Sequence, residues 1–135
     1  MKAVDFTPHA FDVADRRFTG TVSGTHHCPP SDDRLHAYLV SFEPGARTAW
    51  HCHLRGQLIV CTAGRGLVVT RDGSELPLEP GTAVWTEPGE DHWHGAAAGS
   101  GMTHLAVQTA DAGSGDGAQW HEPVAGAAKD GTCHG

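Results

Sequence analysis

Charged side chains and long apolar runs are both scarce in this sequence of 135 residues. Only 19% of the residues are charged, and the formal net charge is −7 at pH 7. Such a chain is repelled by phosphate backbones and by anionic membrane surfaces. The apolar run at residues 58–61 is far shorter than the roughly 20 residues that span a bilayer, and the first residues lack the basic and apolar regions of a secretory signal. We therefore expect a cytoplasmic protein with neither nucleic acid nor a membrane as partner.

The sequence also lacks the pattern of a disulfide framework. Its four cysteines, Cys28, Cys52, Cys61 and Cys133, form no CxxC pair. A chain of this length can bury a sufficient core without covalent cross-links. We therefore predict that the thiols are reduced.

Glycine and proline are abundant, with 18 and 8 residues, which suits short strands joined by tight turns. Apolar residues recur with a period of two, and no segment has the pattern of an amphipathic helix of normal length. The predicted strands are residues 35–43, 49–53, 57–62, 66–71, 82–86 and 102–109, with an Asp-Gly hairpin turn at 72–73. Residues 25–30 are predicted to be a loop, and residues 111–117 a linker with little to bury. The fold prediction is all-β and single-domain, a small antiparallel β-barrel or jelly roll.

The 11 histidines are the most unusual feature of the composition, because imidazole is the commonest transition-metal ligand. His51 and His53 stand two residues apart on a predicted strand, so their side chains share one face and can chelate one ion. Gln57 has the same parity, and Gly56 lets the chain bend so that Gln57 approaches the ion from the next strand. His92 follows a turn and can close the site from across the barrel. These donors suit manganese, iron, cobalt, nickel or zinc.

Two blocks of sequence around these residues resemble the paired motifs of the cupin superfamily. The first block reads Gly45-x5-His51-x-His53-x3-Gln57-x6-Gly64, and the second reads Gly81-x5-Glu87-x-Gly89-x2-His92-x3-Ala96. Their spacings agree with the family patterns G(x)5HxH(x)3-4E(x)6G and G(x)5PxG(x)2H(x)3N. Three residues depart, since Gln57, Glu87 and Ala96 stand where the family usually has Glu, Pro and Asn. The resemblance covers residues 18–109 and implies a cupin barrel.

Further segments narrow this resemblance. Residues 18–22, 42–51, 88–96 and 102–106 look like the small bacterial cupins that include manganese-dependent hydroxynitrile lyases, a group that also carries Gln at the fourth ligand position. The resemblance implies that His51, His53, Gln57 and His92 bind one divalent transition metal, manganese first, and that His104 lines the pocket near it. It also implies a homodimer or homotetramer. We accordingly divide the chain into an N-terminal arm (1–17), a cupin barrel (18–124) and a disordered tail (125–135).

The glutamine at position 57 bears on the class of reaction. Three neutral imidazoles and a neutral amide leave a divalent ion with its full charge, whereas a carboxylate would lower that charge. A higher residual charge makes the ion a stronger Lewis acid and lowers the pKa of a bound hydroxyl. It also makes the loss of an electron harder. We therefore expect redox-neutral chemistry rather than dioxygen activation.

The resemblance implies the function of a hydroxynitrile-lyase-like carbon–carbon lyase, which converts a small-molecule cyanohydrin to an aldehyde or ketone and HCN. His104 is the candidate base because its strand face points into the barrel, and Gln108 on the same face could orient the substrate. His94 shares the parity of His92 and could assist the reaction or tune the ligands. The side chains of Tyr38, Val40 and Phe42 are predicted to form core and pocket wall.

Other interpretations stay open at this point. His94 and His104 could be packing histidines with satisfied hydrogen bonds, and Gln57 could be a structural amide. Iron at the same ligands would suit a dioxygenase that cleaves a carbon–carbon bond and consumes oxygen. A non-catalytic cupin would bind a small molecule without turnover. The segment His26-His27-Cys28 falls in the predicted loop, where we expect it to lie at the surface without a role.

Overall fold

The computed structural model describes residues 1–12 and 14–125, and these residues form thirteen β-strands and no helix. The strands are β1 (His9–Ala10), β2 (Phe18–Thr19), β3 (Val22–His27), β4 (Leu35–Phe42), β5 (Arg47–Thr48), β6 (His51–His53), β7 (Gln57–Gly64), β8 (Gly66–Thr70), β9 (Glu75–Leu78), β10 (Ala83–Thr86), β11 (His92–Ala96), β12 (Met102–Thr109) and β13 (Ala118–Trp120). The prediction of an all-β fold is therefore confirmed. Across the described ranges there is accordingly no helix that could cross a membrane.

The strands form two antiparallel sheets. The six-stranded sheet has the order β1-β3-β4-β12-β7-β10. The seven-stranded sheet runs β13-β6-β11-β5-β2, with β8 beside β11 and β9 beside β8. The hydrophobic core lies between the sheets, since its buried cluster combines Phe42 and Ile59 of the first sheet with Val68 and Leu78 of the second.

The three central strands of the six-stranded sheet place apolar and polar side chains at opposite ends. In β12 the burial alternates, with Met102, His104, Ala106 and Gln108 turned inward. Met102 pairs with Phe42 at the core end, whereas Gln108 lies opposite His36 at the other end. Because strand side chains alternate between faces, this end of the sheet delivers a row of polar groups to the interior.

Most predicted strands are confirmed. The strand at 102–109 has the predicted bounds, and β4, β7, β8 and β10 begin and end within two residues of their predictions. The Asp-Gly turn joins β8 to β9 as predicted, with Gly73 at φ +88°. The predicted strand at 49–53 is wrong at its start. The Ala49 N–H donates to Arg17 O and the Trp50 N–H to Glu122 O, so β5 ends before β6 begins.

Two segments predicted to be irregular are corrected by the structure. The loop predicted at 25–30 is wrong in its first half, because β3 continues to His27 and pairs His26 with Tyr38 of β4. The linker predicted at 111–117 is wrong at its end, where Asp116 is half-buried and Gly117 is buried. Both polar segments are held by backbone pairing or by hydrogen bonds to distant side chains, which composition does not reveal.

The N-terminal arm contacts the barrel. Its residues His9 and Ala10 pair with β3, and the Phe11 ring stacks on Phe18 with centroids 4.8 Å apart. The arm thereby adds an edge strand to the six-stranded sheet and places Phe11 in the lining of the interior cavity. The predicted disordered tail lies, apart from Ala125, outside the described residues.

Candidate metal centre and active site

Three histidines converge in the barrel interior. His51 and His53 lie on β6, and His92 lies directly opposite His51 on the neighbouring strand β11. One nitrogen atom from each ring lies within 4.8 Å of the others, and the three residues are at most 3% exposed. The predicted cluster of three histidines is therefore present and could hold a metal ion. The prediction that His92 closes the site from across the barrel is wrong, because β11 lies beside β6 in the same sheet.

Backbone carbonyls fix the tautomers of two of these rings. The Nδ1–H of His51 donates to Ala49 O at 2.8 Å, and the Nδ1–H of His92 donates to Glu90 O at 2.9 Å. A carbonyl oxygen only accepts, so the proton sits on Nδ1 and the lone pair of Nε2 stays available. Among the described residues, His92 Nε2 and both nitrogens of His53 are buried without a hydrogen-bond partner.

Burial also keeps these rings neutral. It lowers the pKa of His53 to about 3, with a further contribution from His92. It lowers the pKa of His51 well below its usual 6.5, where His92 and His53 act in the same direction. Burial likewise lowers the pKa of His92. Neutral imidazole is the form that binds a metal ion.

Gln57 lines the same cavity as His51 and His53, and a chain of hydrogen bonds holds its amide. Its Nε2 donates to Gln108 Oε1 at 2.6 Å, and Gln108 Nε2 donates to Asp116 O at 2.8 Å. This chain fixes the amide orientation and leaves Gln57 Oε1 buried with no partner in the described ranges. The bend predicted at Gly56 is present, since this glycine has φ +82° and lies against the Trp85 ring.

The donor atoms left without partners are the signature expected of a metal site. A buried polar atom without a partner costs about 1–3 kcal/mol, so several of them together need a compensating ligand. Imidazole nitrogen with an amide oxygen suits a divalent transition ion. The residues His51, His53, Gln57 and His92 therefore fit the cofactor that the donor pattern implies.

His94 and His104 form a directly hydrogen-bonded pair beside the histidine cluster. His104 Nε2 lies 2.9 Å from His94 Nδ1, and both side chains are buried. Burial lowers the pKa of His104 to about 4, and burial with the neighbouring His104 lowers that of His94 well below 6.5. A packing role predicts satisfied nitrogens, yet His94 Nε2 and His104 Nδ1 are buried without partners in the described part of the chain.

A cavity of about 320 Å³ lies over these groups. The predicted wall residues Tyr38, Val40 and Phe42 line it, together with His94, His104 and Gln108. Its remaining apolar lining is largely aromatic and comes from Phe11, Phe18 and Trp120. The cavity thus combines hydrogen-bonding groups with ring surfaces.

Trp120 and Asp116 also belong to the site, although parity did not identify them. The Trp120 ring stacks on His51 with centroids 4.2 Å apart and an interplanar angle of 20°. Tyr38 Oη donates to Asp116 Oδ2 at 2.5 Å. Burial favours the neutral form of Asp116 and would raise its pKa. The hydrogen bonds from Tyr38 Oη and the Ala118 N–H together have the larger effect, so the pKa of Asp116 is lowered from 3.8. Only the size of Trp120 gave a signal, because a large aromatic residue is rarely left free.

His26, in the segment predicted to lie at the surface, also lines this cavity. His26 stacks on Tyr38 at 4.3 Å, and its Nε2 lies 2.9 Å from His36 Nδ1. Since His36 Nε2–H donates to Asp33 O, the lone pair of its Nδ1 accepts a hydrogen bond from His26 Nε2–H. His26 is exposed, in agreement with the expected surface position, and it lines the cavity together with Tyr38.

Comparison with known proteins agrees with this geometry. The family model described as a cupin domain matches residues 38–108. The chain is 50% identical over 92 residues to a protein of Granulicella tundricola named (R)-mandelonitrile lyase, covering 67% of this chain and 70% of the relative. A cupin-like protein from Thermotoga maritima is 34% identical with a TM-score of 0.71, covering 79% of this chain and 80% of that one. The polyketide cyclase RemF from Streptomyces resistomycificus, at 23% identity and a TM-score of 0.67 over 81% and 79% of the chains, shares the fold.

Proposed function

Because the chain belongs to the cupin family, we propose that it is a mononuclear metal-dependent lyase that cleaves a cyanohydrin to an aldehyde or ketone and HCN. The observation that carries this proposal is the set of buried donor atoms on His53, Gln57 and His92, which lack partners among the described residues. The relative named (R)-mandelonitrile lyase supports the reaction class. The aromatic lining of the cavity supports an aryl-substituted substrate.

The metal in this proposal is manganese, held by His51, His53, Gln57 and His92. When bound, such an ion supplies Lewis acidity to the substrate hydroxyl. The four donors are uncharged, so they leave the charge of the cation undiminished. This donor chemistry supports a proton-transfer reaction over one that requires electron loss from the cation.

In this proposal His104 carries the proton of the substrate hydroxyl, and His94 positions His104. His104 accepts the hydroxyl proton at Nδ1, which is buried and unpartnered within the described ranges. The bond between the carbinol carbon and the nitrile carbon breaks, its electron pair leaves on cyanide, and the former hydroxyl oxygen becomes the carbonyl oxygen. The proton then passes from His104 to cyanide and gives HCN. His94 acts as a positioning residue in this proposal. The base role requires the tautomer in which His104 Nε2–H donates across the 2.9 Å contact to His94 Nδ1, which leaves the lone pair of His104 on Nδ1.

The role we propose for Gln108 differs from the one suggested by the sequence, which was to orient the substrate. Its carbonyl accepts from Gln57 and its amino group donates to Asp116 O, so both ends of the amide are already used. We assign to Gln108 the orientation of Gln57, and through it the orientation of the metal site. Any contact with the substrate is secondary to that role in this proposal.

The decisive experiment measures HCN and benzaldehyde release from mandelonitrile by the protein loaded with manganese, iron, cobalt, nickel or zinc. Expected are turnover without oxygen uptake and its loss in His51→Ala and His92→Ala. His9→Ala, a change at an exposed histidine of β1, is the matched control and should keep full activity. Oxygen uptake with the iron-loaded protein would instead establish the dioxygenase, and saturable binding without turnover on any metal would establish a binding protein.

We also propose that the protein works as a homodimer or homotetramer. Trp85 on the edge strand β10 and Leu58 on β7 lie directly opposite each other and are 50% and 39% exposed. An exposed aromatic residue at a sheet edge suits the packing of a second copy. Light scattering after size-exclusion chromatography should give a multiple of the chain mass, reduced by Leu58→Lys. A monomer mass for the unchanged protein would contradict this proposal.

A further inference from the structure

Cys52, Asp91 and His121 form a second cluster of metal-ligating side chains behind the histidine cluster. Cys52 lies between His51 and His53 on β6, so its side chain points to the opposite face of the strand. One ligand atom from each of Cys52, Asp91 and His121 lies within 4.8 Å of the others. Cys52 is 6% exposed, whereas the side chains of Asp91 and His121 are 24% and 38% exposed. The cluster is therefore closed on the side of the sheet and open to solvent on the other.

The distance between Asp91 and His121 is close to the distance expected between two ligand atoms of one metal ion. Asp91 Oδ1 lies 3.1 Å from His121 Nε2, but this buried oxygen has no aligned hydrogen bond from any described residue. Two ligand atoms on a tetrahedral ion with bonds of about 2.0–2.1 Å lie about 3.3 Å apart. The other carboxylate oxygen accepts from Arg71 Nε at 2.8 Å, which holds Oδ1 towards the cluster.

The surrounding charges suit a divalent cation. Arg71 would repel it, but Glu122 binds the same guanidinium at 2.8 Å and balances its charge. The Arg71 guanidinium also stacks on the Trp50 ring, 4.0 Å from the ring centroid. A Cys52 thiolate and the Asp91 carboxylate then match the two charges of the ion. Sulfur, nitrogen and oxygen donors in tetrahedral geometry are typical of Zn²⁺.

We propose that Cys52, Asp91 and His121 bind a Zn²⁺-like cation at a second site, with the fourth position open to water. On binding, the Cys52 thiol releases its proton to solvent and a sulfur–metal bond forms, without oxidation or reduction. The ion joins β6, the residue before β11 and the residue after β13. It therefore clamps β13 against β6 and supports the Trp120 ring that stacks on His51.

The two sites differ in a way that spectroscopy can separate, because the inner cluster contains no sulfur ligand. The protein with its inner site loaded with manganese is titrated with Co²⁺ and watched for thiolate-to-metal charge-transfer absorption. Expected is a band that saturates at one equivalent per chain and is bleached by Zn²⁺. The Cys28→Ala/Cys61→Ala/Cys133→Ala triple variant, which keeps Cys52 alone, should retain the band. Cys52→Ala should lose it and keep its manganese.

His121→Ala provides a test that does not depend on changing a buried residue. It should weaken Co²⁺ binding by at least about ten-fold, whereas His9→Ala at another exposed histidine should not. Absence of the charge-transfer band, its survival in Cys52→Ala, or unchanged affinity in His121→Ala would overturn the proposal. In that case Asp91 and His121 are in contact but hold no metal ion. Lyase activity is not the readout, so this test stands apart from the proposed reaction.

Discussion

Without the proposed metal ion, this protein should be sensitive to mild acid. Five buried imidazoles, those of His51, His53, His92, His94 and His104, have a pKa below 6.5 in the folded chain, mainly because burial disfavours the charged ring. In the unfolded chain each of these rings binds a proton near pH 6.5. Between that pH and the depressed pKa values, about 3 for His53 and about 4 for His104, the unfolded state binds more protons. The stability contributed by the neutral rings is therefore present above pH 6.5 and is lost as the pH falls below it.

The expected change in the free energy of unfolding with pH is large for a small domain. Each extra proton bound by the unfolded state lowers the free energy of unfolding by about 1.36 kcal/mol per pH unit. Five such protons give an upper value of about 7 kcal/mol per pH unit below about pH 6. The total free energy of unfolding of a domain is about 5–15 kcal/mol. The metal-free protein should therefore unfold within about one to two pH units below pH 6.

Urea unfolding of the metal-free protein, followed by tryptophan fluorescence at closely spaced pH values, measures this slope directly. His104→Gln should reduce the slope by about one proton, because it removes one of the buried rings. His9→Gln changes an exposed histidine and should leave the slope unaltered. A slope below about two protons between pH 6 and 5 would refute the reasoning, since it would mean that most of these rings can be charged within the fold.

Three substitutions test the site and the chain around it. His104→Ala should keep the metal content of the protein but slow cyanohydrin turnover by about 10²-fold or more, and unchanged turnover would exclude His104 as the base. Gln57→Glu should keep the metal but lower turnover by about ten-fold or more, because an acceptor oxygen replaces the amide donor to Gln108 and the carboxylate reduces the charge of the site. Activity equal to the unchanged protein would contradict that role. Gly56→Ala should destabilise the fold by more than the about 1–2 kcal/mol of a left-handed backbone, since its Cβ would meet the Trp85 ring at 2.4 Å. Gly73→Ala, with φ +88° but nothing within 4 Å, is the matched control and should show the smaller loss in thermal unfolding.

Most of the candidate site could be predicted from the sequence, because alternate residues of a strand point to the same face. His51 and His53 share a face because successive strand residues alternate, and β6 is extended as predicted over both. The same rule turned Gln57, His104 and Gln108 inward on β7 and β12. These positions were predictable because each depends only on neighbours within one strand, together with turns that glycine and proline mark.

The residues that were missed depend on contacts between distant parts of the chain. Tyr38 and Asp116 are 78 positions apart, and Asp116 stands in a Gly-rich segment whose composition resembles a solvated linker. Trp120 reaches His51 only because β13 pairs with β6. Local composition describes what a segment can do alone. It contains no information on which remote hydrogen-bond donor or sheet edge will order that segment.

The same long-range contacts explain why a glutamine stands at position 57, the proposed fourth ligand position. Gln57 must donate to Gln108 for Gln108 to turn its own amino group to Asp116 O, and that carbonyl belongs to the residue whose carboxylate accepts from Tyr38. A glutamate at position 57 would present only acceptors and oppose this direction of donation. The Gln57 amide therefore helps to order residues 111–117, in addition to the part it has in the charge of the proposed metal site. Changing it should disturb the pocket wall at Tyr38 even in the metal-free protein.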